Sequence, residues 1–152
     1  LLVDQIVEWA VESATHLSNA AGVAIRTSIE PGPALHADSN RLGQVLDNLL
    51  SNAIKFSDGG GNVEVTARHH RDRWVFAVVD DGVGISEADQ EQLFDSFFRA
   101  SGTAQSTPGT GLGLAICRAI VELHGGTITV ESQQDYGARF EFVIPDEREM
   151  TQ

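Results

Sequence analysis

Asp38-Ser39-Asn40-Arg41-Leu42-Gly43-Gln44-Val45-Leu46-Asp47-Asn48-Leu49-Leu50-Ser51-Asn52-Ala53-Ile54-Lys55-Phe56 is the stretch on which the fold turns. At about 100° per residue, Leu42, Leu46, Leu49, Leu50 and Ala53 fall on one side and face a core. Arg41, Gln44, Asn48, Asn52 and Lys55 line the other side. The spacing predicts a helix running to about Phe56, with Asp38 as its N-cap. A solvated polar face would account for the charges but not for the amides. Asn is a poor helix former, and this helix carries two of them four residues apart, with a lysine close behind. An amide oxygen near an ammonium suits a hydrated Mg2+ carrying a polyphosphate, because Mg2+ takes oxygen ligands and keeps several waters. Taken alone, the helix fits either reading.

Upstream, apolar residues recur at helical spacing from Leu2 to Ala21, and Gly22 is a stop. Val23 to Glu30 alternates as a strand, Pro31-Gly32-Pro33 turns the chain, and Leu35-His36-Ala37 is expected as a short second strand. Downstream, Asn62 to Arg68 and Trp74 to Val79 read as antiparallel strands joined by His69-His70-Arg71-Asp72. A short helix begins near Ser86, and Arg99 to Thr110 forms a lid-like segment rich in Ser, Thr, Gly and Ala. A helix from Gly111 to Leu123, Gly125-Gly126, and strands Thr127 to Glu131 and Arg139 to Ile144 follow, then a polar tail. This order predicts an α/β two-layer sandwich: a mixed sheet of about five strands covered on one face by three helices, one domain over residues 1–152.

Two glycine-rich turns sit at the ends of these elements. In Val79-Asp80-Asp81-Gly82-Val83-Gly84-Ile85, a carboxylate ends a strand and alternating glycines follow. The carboxylate is able to accept from an exocyclic amine, while the glycines let backbone approach a flat ring. By itself Asp-x-Gly-x-Gly is also a common turn. Gly109-Thr110-Gly111-Leu112-Gly113-Leu114 opens a helix, where free amides bind anions. A dinucleotide fingerprint would need glycine at Leu114, and a P-loop would need Gly-Lys-Ser/Thr, so neither motif is present.

In order, the motifs are Asn48 to Phe56, Asp80-x-Gly82-x-Gly84-Ile85, Phe94-x-x-Phe97-Phe98-Arg99 and Gly109-x-Gly111-Leu112-Gly113-Leu114. They resemble the N box, first glycine box, F box and second glycine box of sensor histidine kinases. The closing Val121-Glu122-Leu123-His124-Gly125-Gly126-Thr127-Ile128 is similar to that family too. The resemblance implies the Bergerat ATP-binding fold shared with gyrase, mismatch-repair and chaperone ATPases, with ATP and Mg2+ as cofactors. By position, it implies that Asn52 ligates Mg2+, with Asn48 near the metal or phosphates, and that Lys55 pairs with phosphate oxygens. Asp80 would accept the adenine amino group, with Gly82, Gly84 and Ile85 lining the base, and Phe56 also belongs to the ATP site. Phe97 and Arg99 would order the lid, and Gly109, Thr110, Gly111, Leu112, Gly113 and Leu114 would clamp the phosphates.

The implied activity is transfer of the γ-phosphoryl group to a histidine on a separate dimerisation domain, then to a response regulator receiver domain. Hydrolytic relatives of the fold carry a glutamate where this sequence has Asn48, and a neutral amide does not serve as a general base. Slow hydrolysis is therefore expected. None of His16, His36, His69, His70 or His124 precedes an acidic residue as the family's phosphoacceptor does; all read as surface or structural residues. The resemblance implies a homodimeric parent with the phosphoacceptor on its separate dimerisation domain, and a longer parent is also expected because the chain opens Leu1-Leu2 rather than Met. The isolated domain is expected to be monomeric and cytoplasmic, with membrane anchoring of the parent left open. Two departures from the family pattern weaken phosphate and adenine contacts. No Lys or Arg lies between Arg99 and Arg118, and Gly137-Ala138 replaces the usual Gly-Thr or Gly-Ser.

The net charge of −12 disfavours nucleic acid and anionic membranes as partners. The single cysteine, Cys117, excludes an internal disulfide and reads as a small core residue. No apolar run approaches the roughly 20 residues that span a bilayer, and no signal peptide is evident. Three other functions remain in view: an ATPase or a serine kinase of the same fold, and a nucleotide-sensing interaction module.

Overall fold

A computed structural model of the chain describes residues 1–57, 60–94, 113–133 and 137–146. Among the described residues, nine elements run in the order α1 (Val3–Ala21), β1 (Val23–Ile29), α2 (Ser39–Phe56), β2 (Gly61–His70), β3 (Arg73–Asp80), α3 (Glu87–Gln92), α4 (Gly113–Leu123), β4 (Thr127–Gln133) and β5 (Gly137–Pro145). The strands form one mixed sheet in the order β1-β2-β3-β5-β4. β1 and β2 are parallel, with α2 as the crossover that a parallel pair requires. The remaining pairs are antiparallel, and β5 inserts between β3 and β4.

Alternation along the strands explains the two-layer build. Val63, Val65 and Ala67 of β2, Trp74, Phe76 and Val78 of β3, and Phe140, Phe142 and Ile144 of β5 are all buried under the helices. Phe76 and Phe142 stack with centroids 4.7 Å apart. α2 is the middle helix, packed against both α1 and α4, and it buries Leu42, Val45, Leu46, Leu49, Leu50, Ala53 and Ile54. Each buried leucine, valine or isoleucine among them contributes about 1.5–3 kcal/mol. The start of α2 is secured twice. Asp38 accepts from the Asn40 and Arg41 amides, and its own N–H donates to His124 Nε2 at the end of α4. The His124 Nδ1 lies 2.8 Å from the Ile120 carbonyl, so its partners assign the ring proton to Nδ1.

Leu35-His36-Ala37 is not a strand. Instead of joining a ladder, Leu35 is buried and pairs with the first residue: its N–H donates to the Leu1 carbonyl, and its carbonyl accepts from the Leu1 ammonium. The two prolines before it favour an extended path, and the Leu35 side chain anchors that path in the core. The β2–β3 turn is also tighter than the sequence suggests. The strands pair out to His70 and Arg73, leaving Arg71, at φ 60°, and Asp72 between them.

Candidate nucleotide site

The C-terminal end of α2 meets the glycine-rich turn that follows β3, the end of β3 pairs with the N-terminal end of β5, and the start of α4 approaches Asn48 midway along α2. The side chain of Asp80 projects from the last position of β3 on the helix-covered face, between Val63 of β2 and Ala138 of β5. It is only 4% exposed. Its Oδ1 accepts from the Gly82 amide at 2.9 Å, but its buried Oδ2 has no hydrogen-bond partner among the described residues. Burial pushes the Asp80 carboxyl above the usual carboxylate range, partly offset by the Gly82 and Ala138 amides, and the neighbouring charge of Asp81 adds to the rise. Asp81 behaves oppositely. It is exposed, and hydrogen bonds from the Asn62 amide (2.9 Å) and Asn62 side chain (3.1 Å) hold it below the usual range. An unpartnered, buried carboxylate oxygen is costly to keep, so it marks a place where a ligand donor would be welcomed.

The glycine-rich turn leans on the end of α2. Val83 N–H donates to the Phe56 carbonyl at 3.4 Å, and a Cβ on Gly82 would lie 2.2 Å from that same oxygen. Only glycine fits there, because the obstacle is backbone. Gly137 faces an equal constraint from the other side: it has φ +94°, and a Cβ would lie 2.1 Å from the Asp80 carbonyl oxygen. Ile85 is buried, Gly84 adopts a positive φ, and Val83 is exposed.

On α2, Asn48 and Asn52 are half-buried and Lys55 is exposed, all on the polar stripe read from the sequence. The Asn48 side-chain amide donates to the Gly113 carbonyl at 3.5 Å, which joins α2 to the first turn of α4. Beneath it, Cys117 is fully buried; burial pushes its thiol up to about 12, with the Asn48 side chain pulling slightly the other way. Phe56 is half-buried at the end of α2, and Leu114 packs against the core. Phe97, Arg99, Gly109, Thr110, Gly111 and Leu112 lie outside the described residues. The described structure thus brings Asn48 and Gly113 together, and Phe56, Asp80 and Gly82 together.

Three polar residues at this end escaped sequence reading. Ser132 Oγ accepts from the Ile85 amide at 2.8 Å, and Gln90 donates to the Ile85 carbonyl at 2.7 Å. The third, Asn62, partners Asp81. Ser132 carried a signal: Ile128, Val130 and Ser132 alternate, so a hydroxyl falls on the covered face of β4. Gln90 and Asn62 carried none. Among the histidines, His69 pairs with Asp146 at 2.8 Å, His124 caps α2, and His16, His36 and His70 are exposed.

Residues 37–148 match the family model described as histidine kinase-, DNA gyrase B-, and HSP90-like ATPase. The adaptive-response sensory kinase SasA of Prochlorococcus marinus (strain MIT 9313) is 46% identical over 125 residues, covering 81% of this chain and 34% of that protein. The chain therefore spans about a third of the length of that curated relative. Among solved structures, the mycobacterial sensor histidine kinase MprB superposes with a TM-score of 0.86 at 28% identity, covering 97% of this chain and 98% of that one. Histidine kinase ThkA, in complex with the response regulator protein TrrA, gives 0.82 at 27% identity, covering 99% and 42% respectively.

Proposed function

This chain belongs to the family of histidine kinase-, DNA gyrase B- and HSP90-like ATPases, and we propose that it is the phosphoryl-donating domain of a sensor histidine kinase. The observation that carries the reading is the buried, unpartnered Oδ2 of Asp80. An adenine amino group would donate to it, while Ile85 and the glycine-rich turn line the ring. The adenine site would thereby be anchored to the sheet, with the polar stripe of α2 and the start of α4 left to hold the phosphates.

Mg2+ fits the amide oxygens of that stripe. Asn52 would hold it, with Asn48 one turn earlier, and the bound ion would supply charge neutralisation on the phosphates. Lys55 would pair with phosphate oxygens. Phe97, Arg99 and the glycines from Gly109 to Gly113 keep the roles that family likeness implies. The chain's residues do no covalent chemistry in this scheme; they bind, orient and exclude water while an external imidazole attacks in line. Asn48 offers no general base for hydrolysis, and its amide is turned to the Gly113 carbonyl.

One domain is inferred for residues 1–152, with the phosphoacceptor histidine on a dimerisation domain elsewhere in the parent. A receiver domain would take the phosphoryl group next; ThkA supports this by analogy, having been solved with its response regulator protein. The test is to mix the chain with the parent's histidine-bearing fragment and labelled ATP. An acid-labile, base-stable adduct on the fragment is expected. An acid-stable adduct would point to a serine kinase, and binding without transfer to a sensing module; either contradicts the proposal.

A further inference from the structure

Ile85 lies outside every helix and strand, so its main-chain groups have no ladder to join. Both are nonetheless gripped by side chains from other elements. Its N–H donates to Ser132 Oγ at 2.8 Å, and its carbonyl accepts from Gln90 Nε2 at 2.7 Å. Gln90 Nε2 also donates to the Ser132 carbonyl at 2.9 Å, and the Ser132 hydroxyl gives its own proton to the Gly137 carbonyl. Four hydrogen bonds therefore tie α3, the glycine-rich turn and both strands of the β4–β5 pair into one knot.

The knot bears on Asp80 from two directions. Gly137 sits so close to the Asp80 main chain that no Cβ fits between them, and Ile85 is the far end of the turn whose Gly82 amide holds Asp80 Oδ1. Moving either end would move the glycine-rich turn or the start of β5 relative to the unpartnered Oδ2. We propose that Ser132 and Gln90 are positioning residues of the nucleotide site, fixing Ile85 and Gly137 so that the base is held in register with Asp80. This rests on the ATP-binding reading above. Ala138, which follows Gly137, carries no hydroxyl, so the hydroxyl found at this corner comes from β4.

A calorimetric comparison of ATP and inosine triphosphate, both with Mg2+, tests the proposal on the chain and its Ser132→Ala, Ser132→Thr and Gln90→Ala variants. Ser132→Ala is expected to weaken ATP binding about tenfold and to narrow the preference for ATP over inosine triphosphate. Gln90→Ala should move both quantities the same way. Ser132→Thr keeps the hydroxyl and should stay within about threefold of the parent. A merely structural role would lower the melting temperature without narrowing base preference. If Ser132→Ala does not fold, Gln90→Ala alone decides the question. Variants that bind and discriminate as the parent does overturn this proposal alone; a parent that binds no ATP overturns the nucleotide reading and this one with it.

Discussion

Asp80 and Asp81 are neighbours in sequence, yet their surroundings send them opposite ways. Asp80 is held above the ordinary carboxylate range chiefly by burial, Asp81 below it by Asn62. A raised folded-state value means that folding is penalised as pH climbs through and past the ordinary range, while in strong acid both states are protonated and the penalty vanishes. Asp80→Asn should therefore leave stability within about 1 kcal/mol of the parent, or raise it, at neutral pH. Thermal melts across pH check this. The same variant should lose ATP binding by at least about a hundredfold, since an NH2 in place of Oδ2 donates where it must accept. In the parent, affinity should fall as acid protonates Oδ2, in the window just above the ordinary carboxylate range. Titration calorimetry as a function of pH reads that directly. Cys117, with its thiol near 12 and no exposure, should resist thiol reagents until denaturant is added. From the sequence, Asp80 was legible as the end of a strand before glycines; its orphaned oxygen was not, because that depends on Ala138 and Gly82 arriving together.

α2 shows how an element joins fold and site. Its apolar side follows directly from residue spacing, and its cap from Asp38, so both were readable in advance. Asp38→Ala should cost about 1 kcal/mol in urea unfolding. ATP affinity should change little, because the cap lies roughly 20 Å along the helix from Asn52. Leu46→Ala, in the fully buried row, should cost about 2–5 kcal/mol in the same measurement. The segment at Leu35 resisted sequence reading for a physical reason. An apolar residue between turns fits an edge strand as well as an anchor, and only the approach of Leu1 decides between them. The turn at Arg71 is narrower than the sequence suggests because charged residues hide the pairing of His70 with Arg73.

For the molecule as a whole, motifs far apart in sequence become one corner of a sheet: the end of α2, the end of β3 and the hairpin of β4 and β5. Order and spacing of the motifs made the layered α/β fold legible. Ser132 and Gln90 stayed hidden because their role exists only once the hairpin closes on the glycine-rich turn. With Asn48 in place of a base, the isolated chain should hydrolyse ATP far more slowly than the ~10 s−1 typical of enzymes, as phosphate release would show. Among the described residues no helix is long and apolar enough to cross a membrane. The proposed function depends above all on a single buried oxygen, Asp80 Oδ2, reading a single amine. Titrating the chain with ATP and with inosine triphosphate, which has a carbonyl in place of the amine, addresses it directly. Saturable binding of ATP, with inosine triphosphate at least about a hundredfold weaker, is the predicted result; equal affinity for the two would contradict it.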